Sequence, residues 1–389
     1  MSKISAFILI LLLSSVWITI LNIGIVKAQG TIYIRADGSV EGTDTIQREG
    51  NVYTFTDNIY DSLVVERDDI VIDGVGYSLG SPNSGLTQSS EGIGILVDGR
   101  DKVTISNVAI QNFLNGIYIN SSSNSLITKS NVTNNNKGII IEHSSHTIIR
   151  ESQMTNNLNV GIYVLESPHT DIQYSVVTDN ANEGINVFLT MTNFDDHVHF
   201  DINFCEIREN KVGIRFVSSL NSSIKTYFYS NNITHNSVGI YLEVSSVNIQ
   251  FNNLANNGIG IQSAGSDNHI DHNNFINNTK QVYDSAWDNP DMISSVNNWY
   301  VGDNGNYWSD YDGTGETPYV IDENNQDNFP TSKPLRFPNE PFPHWVEEDF
   351  TISNIVWSMI IIIAGLGVFL LFLFGMTKII RKNKKKGLE

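Results

Sequence analysis

The feature that most constrains this chain is a Gly-Ile step that recurs eight times at nearly constant spacing. The intervals between successive glycines are 22, 22, 23, 23, 29, 26 and 21 residues. About eleven residues after each glycine comes a second apolar position, and usually five residues later a third. A fixed period of this length predicts a solenoid. The glycines are Gly94, Gly116, Gly138, Gly161, Gly184, Gly213, Gly239 and Gly260; the second positions are Ile105, Ile127, Ile149, Ile172, Ile202, Ile224, Ile249 and Ile270; the third positions are Ile110, Val132, Met154, Val177, Ile207, Leu254 and Phe275.

Around these positions the residues alternate in the way of a strand that buries one face. Three short strands per period, joined by turns of Asn, Ser and Gly too short to hold a helix, predict an all-β fold, a parallel β-helix of about nine to ten coils. Disorder of an Asn-rich chain does not fit apolar positions that keep their register over eight periods. Asparagines three or four residues before the glycines tolerate left-handed backbone and can stack amide on amide. These are Asn112, Asn134, Asn157, Asn180, Asn210, Asn236 and Asn256.

The regions outside the repeats predict export and a membrane anchor. Residues 1–28 resemble a signal peptide, with an uncleaved anchor as the alternative. Residues 355–377 are uncharged, long enough to span a bilayer as a helix, and are followed by six basic residues in 378–389. Positive charge beside a span stays cytoplasmic, so we expect a single-pass protein of the plasma membrane with its β-helix outside. The remaining segments are an N-terminal cap and first coil (31–90), the repeats (91–280), an aromatic and acidic C-terminal cap (281–332) and a spacer (333–354).

Two periods are longer than the others, and the apolar positions indicate where the additional residues lie. In the 29-residue period we expect them in 188–196, and in the 26-residue period near 225–232. Insertions in a solenoid form loops on its outside, often on the side that binds a ligand.

The repeat region starts with TIYIRADGSV, GNVYTFTDNIY and LVVERDDIVIDGVGYSLG, and it ends with Asn297 to Trp299, Gly305 to Tyr311 and Glu316 to Ile321. These stretches resemble the two ends of archaeal secreted proteins with NosD-like domains. The resemblance implies a right-handed β-helix and, because NosD takes part in copper maturation, a role in handling copper. Resembling proteins with this fold include polysaccharide lyases, hydrolases and epimerases. The short segment Asp312–Glu316 replaces a longer acidic loop of relatives, which puts a calcium site in doubt.

The charge of the chain restricts its partners. Residues 30–350 hold 15 of the 23 basic and 41 of the 42 acidic residues, a net charge of −26. A domain this acidic repels nucleic acid, so we expect no nucleic-acid partner. Cations, a salty exterior or neutral glycans suit it better. The single Cys205 excludes an internal disulfide.

One outward column predicts a carbohydrate site. The side chain two residues after each glycine should point outward, and Tyr118, Tyr163 and Tyr241 occupy this position in three repeats. Aromatic faces on a rigid sheet can stack with sugar rings. The alternative is an ordinary exposed strand, in which Tyr is favoured by β-propensity alone.

A second column predicts a metal site for Cu²⁺ or Zn²⁺. Three histidines each lie three residues before the second apolar position of their repeat, so they should stack in successive coils. Imidazoles beside carboxylates are suitable ligands for these metals. The alternative is a solvated polar ladder. The two aspartates would also have the separation of a retaining glycosidase, but any stacked pair has it. The candidate ligands are His146, His169, His197, His199, Asp171 and Asp201.

No complete catalytic set is recognisable in the sequence, and only Arg208 and Arg215 are candidate bases near Asp201. We therefore predict a membrane-anchored surface protein that binds carbohydrate or a cell-surface protein without catalysis. The alternatives are a carbohydrate-active lyase or hydrolase working along the Tyr column, and a copper-handling protein. Five sequons in the turns are candidate glycosylation sites: Asn120, Asn131, Asn221, Asn232 and Asn277.

Overall fold

The structure is a computed structural model that describes residues 30–80, 92–190, 198–219, 224–285 and 294–336. Within these ranges the regular elements are β-strands, and no α-helix is found. Three long sheets run side by side along the molecule. The predicted signal peptide, the spacer from residue 337 on, the span and the basic tail lie outside the described residues.

Sheet 1 contains the Gly-Ile steps and has 12 strands. All of its neighbouring strands are parallel except β1 and β2 at the N-terminal edge. In spatial order they are β2 (Val40–Glu41), β1 (Thr31–Ile34), β5 (Ser62–Val65), β8 (Ile93–Asp98), β11 (Asn115–Asn120), β14 (Lys137–Glu142), β17 (Val160–Leu165), β20 (Glu183–Leu189), β23 (Val212–Ser218), β26 (Val238–Glu243), β29 (Ile259–Ser263) and β32 (Lys280–Asp284).

Sheet 2 contains the second apolar positions and has 11 strands. Only β3 and β4 pair antiparallel. The strands are β3 (Ile46–Glu49), β4 (Val52–Phe55), β6 (Ile70–Asp73), β9 (Val103–Ser106), β12 (Leu126–Thr128), β15 (Ile148–Arg150), β18 (Thr170–Gln173), β21 (Val198–Asn203), β24 (Ile224–Tyr229), β27 (Val247–Gln250) and β30 (His269–Asp271).

Sheet 3 contains the third apolar positions and has 10 parallel strands. A separate antiparallel pair, β34 (Tyr319–Val320) and β35 (Gln326–Asp327), follows it in the chain. The strands of sheet 3 are β7 (Ser78–Gly80), β10 (Ala109–Gln111), β13 (Asn131–Thr133), β16 (Gln153–Thr155), β19 (Val176–Thr178), β22 (Glu206–Arg208), β25 (Asn232–Thr234), β28 (Asn253–Ala255), β31 (Asn274–Ile276) and β33 (Tyr307–Trp308).

The chain passes through sheets 1, 2 and 3 in turn, and each passage is one coil. Among the described residues nine coils have all three strands, from coil 1 (β5, β6 and β7) to coil 9 (β29, β30 and β31). This confirms the prediction of a right-handed parallel β-helix of about nine coils. No helix that could cross a membrane is present among the described residues, and the predicted span at 355–377 lies outside them.

The core is a set of apolar columns that run from coil to coil. In sheet 2, Ile127 pairs with Ile149, and Ile149 pairs with Ile172, so each side chain rests on its equivalent in the next coil. All three are fully buried. Parallel strands stack residue on residue, and a constant apolar position therefore becomes a continuous core.

The asparagines before the Gly-Ile steps form two columns rather than the single one expected. Asn134 has a φ of 56°, in the left-handed region, whereas the next residue, Asn135, is fully buried. The Nδ2 of Asn135 donates to Oδ1 of Asn157, and the Nδ2 of Asn157 donates to Oδ1 of Asn180. Each Oδ1 also accepts the backbone N–H of the preceding asparagine. The left-handed residue and the ladder residue thus occupy adjacent positions. The seven asparagines predicted from the sequence include members of both columns. The ladder is Asn135, Asn157, Asn180, Asn210, Asn236, Asn257 and Asn278.

The assignment of Ile224 as the second apolar position of its repeat was wrong. Phe228 pairs with Ile202 on one side and Ile249 on the other, and it is fully buried. The extra residues of this period therefore lie between β23 and β24, not near 225–232. Those of the preceding period lie between β20 and β21. Both insertions occur at the corner between sheets 1 and 2, in coils 6 and 7.

The C-terminal cap closes the open end of the coils with two indoles and two polar side chains. Trp308 stacks on Phe275 of coil 9 at a centroid distance of 4.2 Å. Its Nε1 donates to Asp327, and Nε1 of Trp299 donates to Asn325. A second amide ladder, at the corner between sheets 2 and 3, runs from Asn252 through Asn273 to Asn306, and Asp327 ends it by accepting the backbone N–H of Asn306. The last coil thus has no unpaired edge facing solvent at this corner.

Candidate functional site

The predicted Tyr column lies on the outer face of sheet 1, with its tyrosines separated by other residues. Tyr118 pairs with Ile140, which pairs with Tyr163. Between Tyr163 and Tyr241 the register places Asn186 and Arg215. The three tyrosines thus lie in one column, in coils 3, 5 and 8, but no two of them are neighbours.

Tyr118 is held by a carboxylate at the edge of this face. Its hydroxyl donates to Oε2 of Glu142 at 2.6 Å. Partial burial and the negative charge of Glu142 raise the pKa of Tyr118 to about 12. The ring is therefore fixed in position and its hydroxyl is already occupied.

The other two tyrosines belong to a line of rings and cations. Nζ of Lys137 lies 4.8 Å from the ring centroid of Tyr163. The ring of Tyr163 is 6.4 Å from that of Phe188 in the next coil. Cζ of Arg215 lies 4.8 Å from the Phe188 centroid and 5.3 Å from that of Tyr241. We call Tyr163, Phe188, Arg215 and Tyr241 the aromatic–arginine strip; it spans coils 5 to 8 of sheet 1.

Phe188 was not among the residues predicted from the sequence, and Arg215 was predicted to belong to another site. Phe188 lies two residues after Asn186, so strand alternation places both on the outer face, and this signal was available in the sequence. Arg215 was considered as a base near Asp201, together with Arg208. The structure places Arg215 on sheet 1 and Arg208 on sheet 3, where its Nε donates to Glu206 at 2.7 Å. The charged residues that act on Asp201 are instead Asp171 and His199.

The predicted His column lies on the side of sheet 2. The rings of His146 and His169 stack at a centroid distance of 4.6 Å, and those of His169 and His199 meet edge-on at 4.7 Å. Nδ1 of His169 lies 2.8 Å from Nδ1 of His199, so one of these two nitrogens donates its proton to the other. His197 lies outside the described residues.

The two predicted aspartates lie beside this column. Asp171 and Asp201 pair in the register of sheet 2. Oδ1 of Asp171 lies 3.5 Å from Nε2 of His199, and Oδ1 of Asp201 accepts the backbone N–H of Tyr227. Asp201 is only 4% exposed. Burial, and to a smaller extent the charge of Asp171, raise the pKa of Asp201 to about 7. Burial disfavours the ionised carboxylate because it removes water, and the charge of Asp171 disfavours a second negative charge beside it.

We expect Asp201→Asn to change how stability depends on pH. The unfolded carboxyl ionises near pH 4 and the folded one near pH 7, so the stability given by the protonated form is complete below pH 4 and is lost as the pH rises through 7. The variant should match the wild type at pH 4 and exceed its free energy of unfolding by about 4 kcal/mol at pH 8. Urea unfolding at both pH values measures this. The exposed Asp44→Asn is the control, and equal pH profiles for wild type and Asp201→Asn would contradict the assignment.

The arrangement tests the metal prediction only in part. Among the described residues, no group of three or more His, Cys, Asp or Glu side chains is placed to hold a metal ion. His169 and His199 contact one another directly, and His146 only stacks. Copper or zinc at this column stays a prediction.

A buried carboxylate, that of Glu166, lies at the corner between sheets 1 and 2. Glu166 is 7% exposed and accepts both the backbone N–H and the hydroxyl proton of Thr190. Thr190 is the last described residue before the insertion of coil 6. The strip in coils 5 to 8, the His column in coils 4 to 6 and the insertions in coils 6 and 7 thus overlap in the same part of the β-helix.

A further aromatic column at the corner between sheets 2 and 3 was not predicted. Its ring centroids are 4.8 to 5.7 Å apart. Most members follow the apolar position of sheet 2 by two residues, which is a readable signal. Because each ring contacts the ring of the next coil, we assign them to the stability of the corner. The members are Tyr174, Phe204, Tyr229, Phe251 and His272.

The predicted sequons differ in accessibility. Asn131, Asn232 and Asn277 are exposed, and all three lie in or directly after strands of sheet 3. Nδ2 of Asn120 donates to Oδ1 of Asp98 at 2.8 Å, so this amide already has a partner. Asn221 lies outside the described residues.

Comparison with protein families agrees with this architecture. Residues 83–221 match the model of the right-handed β-helix region, and residues 206–313 match the model described as periplasmic copper-binding protein NosD. The chain belongs to the NosD-like right-handed β-helix family. A comparison with curated proteins gave no match.

Several solved structures are similar to this NosD-like chain, with TM-scores below 0.5. Pectate lyase Pel9A is 16% identical, with a TM-score of 0.42 and 80% of each chain covered. A mutant of the periplasmic alginate epimerase AlgG is 14% identical, with a TM-score of 0.47, and 69% of this chain and 77% of that chain are covered. For the mannuronan C-5 epimerase AlgE6 A-module of Azotobacter vinelandii the values are 13%, 0.38, 64% and 80%. At these identities the likeness concerns the fold alone.

The NosD match of this β-helix protein does not include the His column. His146, His169 and His199 all precede residue 206, where that match begins. The name of the family model therefore gives no support to these three histidines as copper ligands.

Proposed function

We propose that this protein is a β-helix of the cell surface that binds carbohydrate along the aromatic–arginine strip. The observation that supports this most is the line of three rings and one guanidinium across four successive coils of sheet 1. A sugar ring presents C–H groups on its face and hydroxyls on its edge. Aromatic faces contact the former, and polar side chains between them reach the latter.

The sheet beneath the strip suits a binding surface of this kind. Tyr163, Arg215 and Tyr241 project from strands that are paired on both sides, and the inward neighbours Ile162, Ile214 and Ile240 are fully buried. Side chains on rigid elements lose little entropy when a ligand binds. An extended, open surface also fits a polymer better than a small molecule, which usually occupies a deep pocket.

The proposed location rests on the sequence. Residues 355–377 are uncharged and precede six basic residues, and residues 1–28 have the pattern of a signal peptide. We place the β-helix outside the cell, the basic tail in the cytoplasm and the anchor between them. A surface protein is an alternative partner for the same face.

Tyr163→Ala tests the binding role. We expect the variant to bind a recognised polysaccharide about tenfold more weakly, since an aromatic contact of roughly 1.4 kcal/mol corresponds to that factor. Affinity electrophoresis and calorimetry over a set of soluble polysaccharides measure it. The matched control is Tyr60→Ala, which removes a tyrosine that is 59% exposed and lies outside sheet 1. Equal losses in both variants, or no binding by the wild type, would contradict the proposal.

A second candidate function, action on the bound glycan, is favoured by the raised pKa of Asp201 beside Asp171. A carboxyl with a raised pKa can serve as a general acid beside a second carboxyl. Because Asp201 is buried, only Asp171 and His199 of this cluster have the exposure needed to reach a substrate. The binding experiment also distinguishes this candidate: new reducing or unsaturated ends in the incubated glycan would show catalysis.

A further inference from the structure

Arg215 lies on two aromatic rings and, unlike three other arginines of this acidic protein, has no acidic partner among the described residues. Arg35, Arg100 and Arg208 each lie within 4.0 Å of a carboxylate oxygen. Among the described residues Arg215 has neither an ion pair nor a hydrogen bond, and its contacts are the rings of Phe188 and Tyr241.

The position of Arg215 leaves its hydrogen-bonding capacity for a ligand. Two rings support the planar guanidinium by cation–π contacts, which orient it without using its N–H groups. A guanidinium donates from five N–H groups in a fixed fork that matches a carboxylate or a sulfate. Arg215 is partly buried on the outer face of sheet 1, so a ligand has to displace little water to reach it.

A second cation extends the pattern along the rod. Lys137 lies over Tyr163 at 4.8 Å and likewise has no ion pair among the described residues. It belongs to coil 4 and Arg215 to coil 7, which places the two about 14 Å apart along the stack of coils. Two carboxylates of this sheet are engaged with tyrosine hydroxyls: Glu142 accepts from Tyr118, and Glu243 accepts from Tyr241 at 3.3 Å.

We propose that the aromatic–arginine strip selects acidic glycans, with Arg215 binding the carboxylate or sulfate of one sugar and Lys137 an anionic group further along the polymer. This inference rests on the proposed function and adds the class of ligand to it. The overall negative charge of the protein repels acidic polymers, so binding depends on these two cations and is confined to the strip.

The test compares charged and uncharged forms of one polymer on the full chain in detergent. The probes are a polyuronate, the same polyuronate with its carboxyl groups reduced to alcohols, and a glucan whose only charged groups are sulfates. We expect the wild type to bind the polyuronate or the sulfated glucan at least tenfold more tightly than the reduced polymer. Arg215→Gln should lose this preference, and Lys137→Gln should lose part of it. The control Arg208→Gln, on sheet 3, should keep it.

The outcomes separate the two proposals. If all probes bind equally and Tyr163→Ala still weakens binding, the acidic class is overturned while carbohydrate binding stands. If no probe and no other polysaccharide binds, both are overturned. A preference for the sulfated glucan alone identifies sulfate as the anion, and a preference for the polyuronate alone identifies carboxylate. Arg215→Lys keeps the positive charge without the planar fork, so a folded Arg215→Lys with full preference would overturn the role of the guanidinium.

Discussion

Replacement of Gly161 by Ala is expected to lower the free energy of unfolding by about 4 kcal/mol, because the coils leave no space for a methyl group there. A Cβ at Gly161 would lie 2.7 Å from the carbonyl oxygen of Gly184 in the next coil and 2.9 Å from a methyl carbon of Val177. Both are held by the β-helix itself, so one coil must shift against its neighbour. Chemical denaturation followed by circular dichroism measures the loss.

Gly80→Ala is the matched control for this prediction. Its Cβ would meet only the flexible side chain of Gln111, at 3.3 Å. We therefore expect a change of less than about 1 kcal/mol. If Gly161→Ala were as stable as Gly80→Ala, the close packing of the coils at the Gly-Ile steps would not be the reason for the repeat.

Replacement of Asn236 by Ala should cost about 4 kcal/mol for a different reason. The Nδ2 of Asn236 donates to Oδ1 of Asn257 and to the carbonyl oxygen of Ile207, and its Oδ1 accepts two protons from Asn210. All of these groups are buried, so the truncation leaves several of them without partners, at about 1–3 kcal/mol each. The same denaturation experiment measures the effect.

Asn253→Ala is the control for the ladder. This asparagine is also in a coil, but its amide makes an exposed hydrogen bond to Asn232. Water can replace that partner, so we expect a change of about 1 kcal/mol or less. Equal stability of both variants would mean that the amide ladder contributes nothing beyond ordinary turn formation.

The columns of the two candidate sites could be predicted from the sequence because parallel strands stack residue on residue. Equal distances from an apolar position place residues in one column, and His146, His169 and His199 do stack as this rule requires. The rule failed in coil 7, where Ile224 and Phe228 are both apolar. Only the pairing of Phe228 with Ile202 and Ile249 shows which of them continues the core.

The chemistry within each column could not be predicted in the same way. The raised pKa of Asp201 comes from its burial and from Asp171 in the preceding coil. The lack of an acidic partner for Arg215 depends on where every carboxylate of the neighbouring coils points. Such properties arise from side-chain positions and solvent exposure, which the spacing of residues does not determine.

The sequence by itself determined the architecture of this protein. A period of about 22 residues with three apolar positions and a glycine admits essentially one arrangement, a stack of three-strand coils. Only the tertiary structure decided which polar columns are buried, which rings cover each other, and that one arginine lies between two aromatic rings. The reason is that these contacts join residues of different coils, 20 to 30 positions apart, through side-chain conformations that no local pattern specifies.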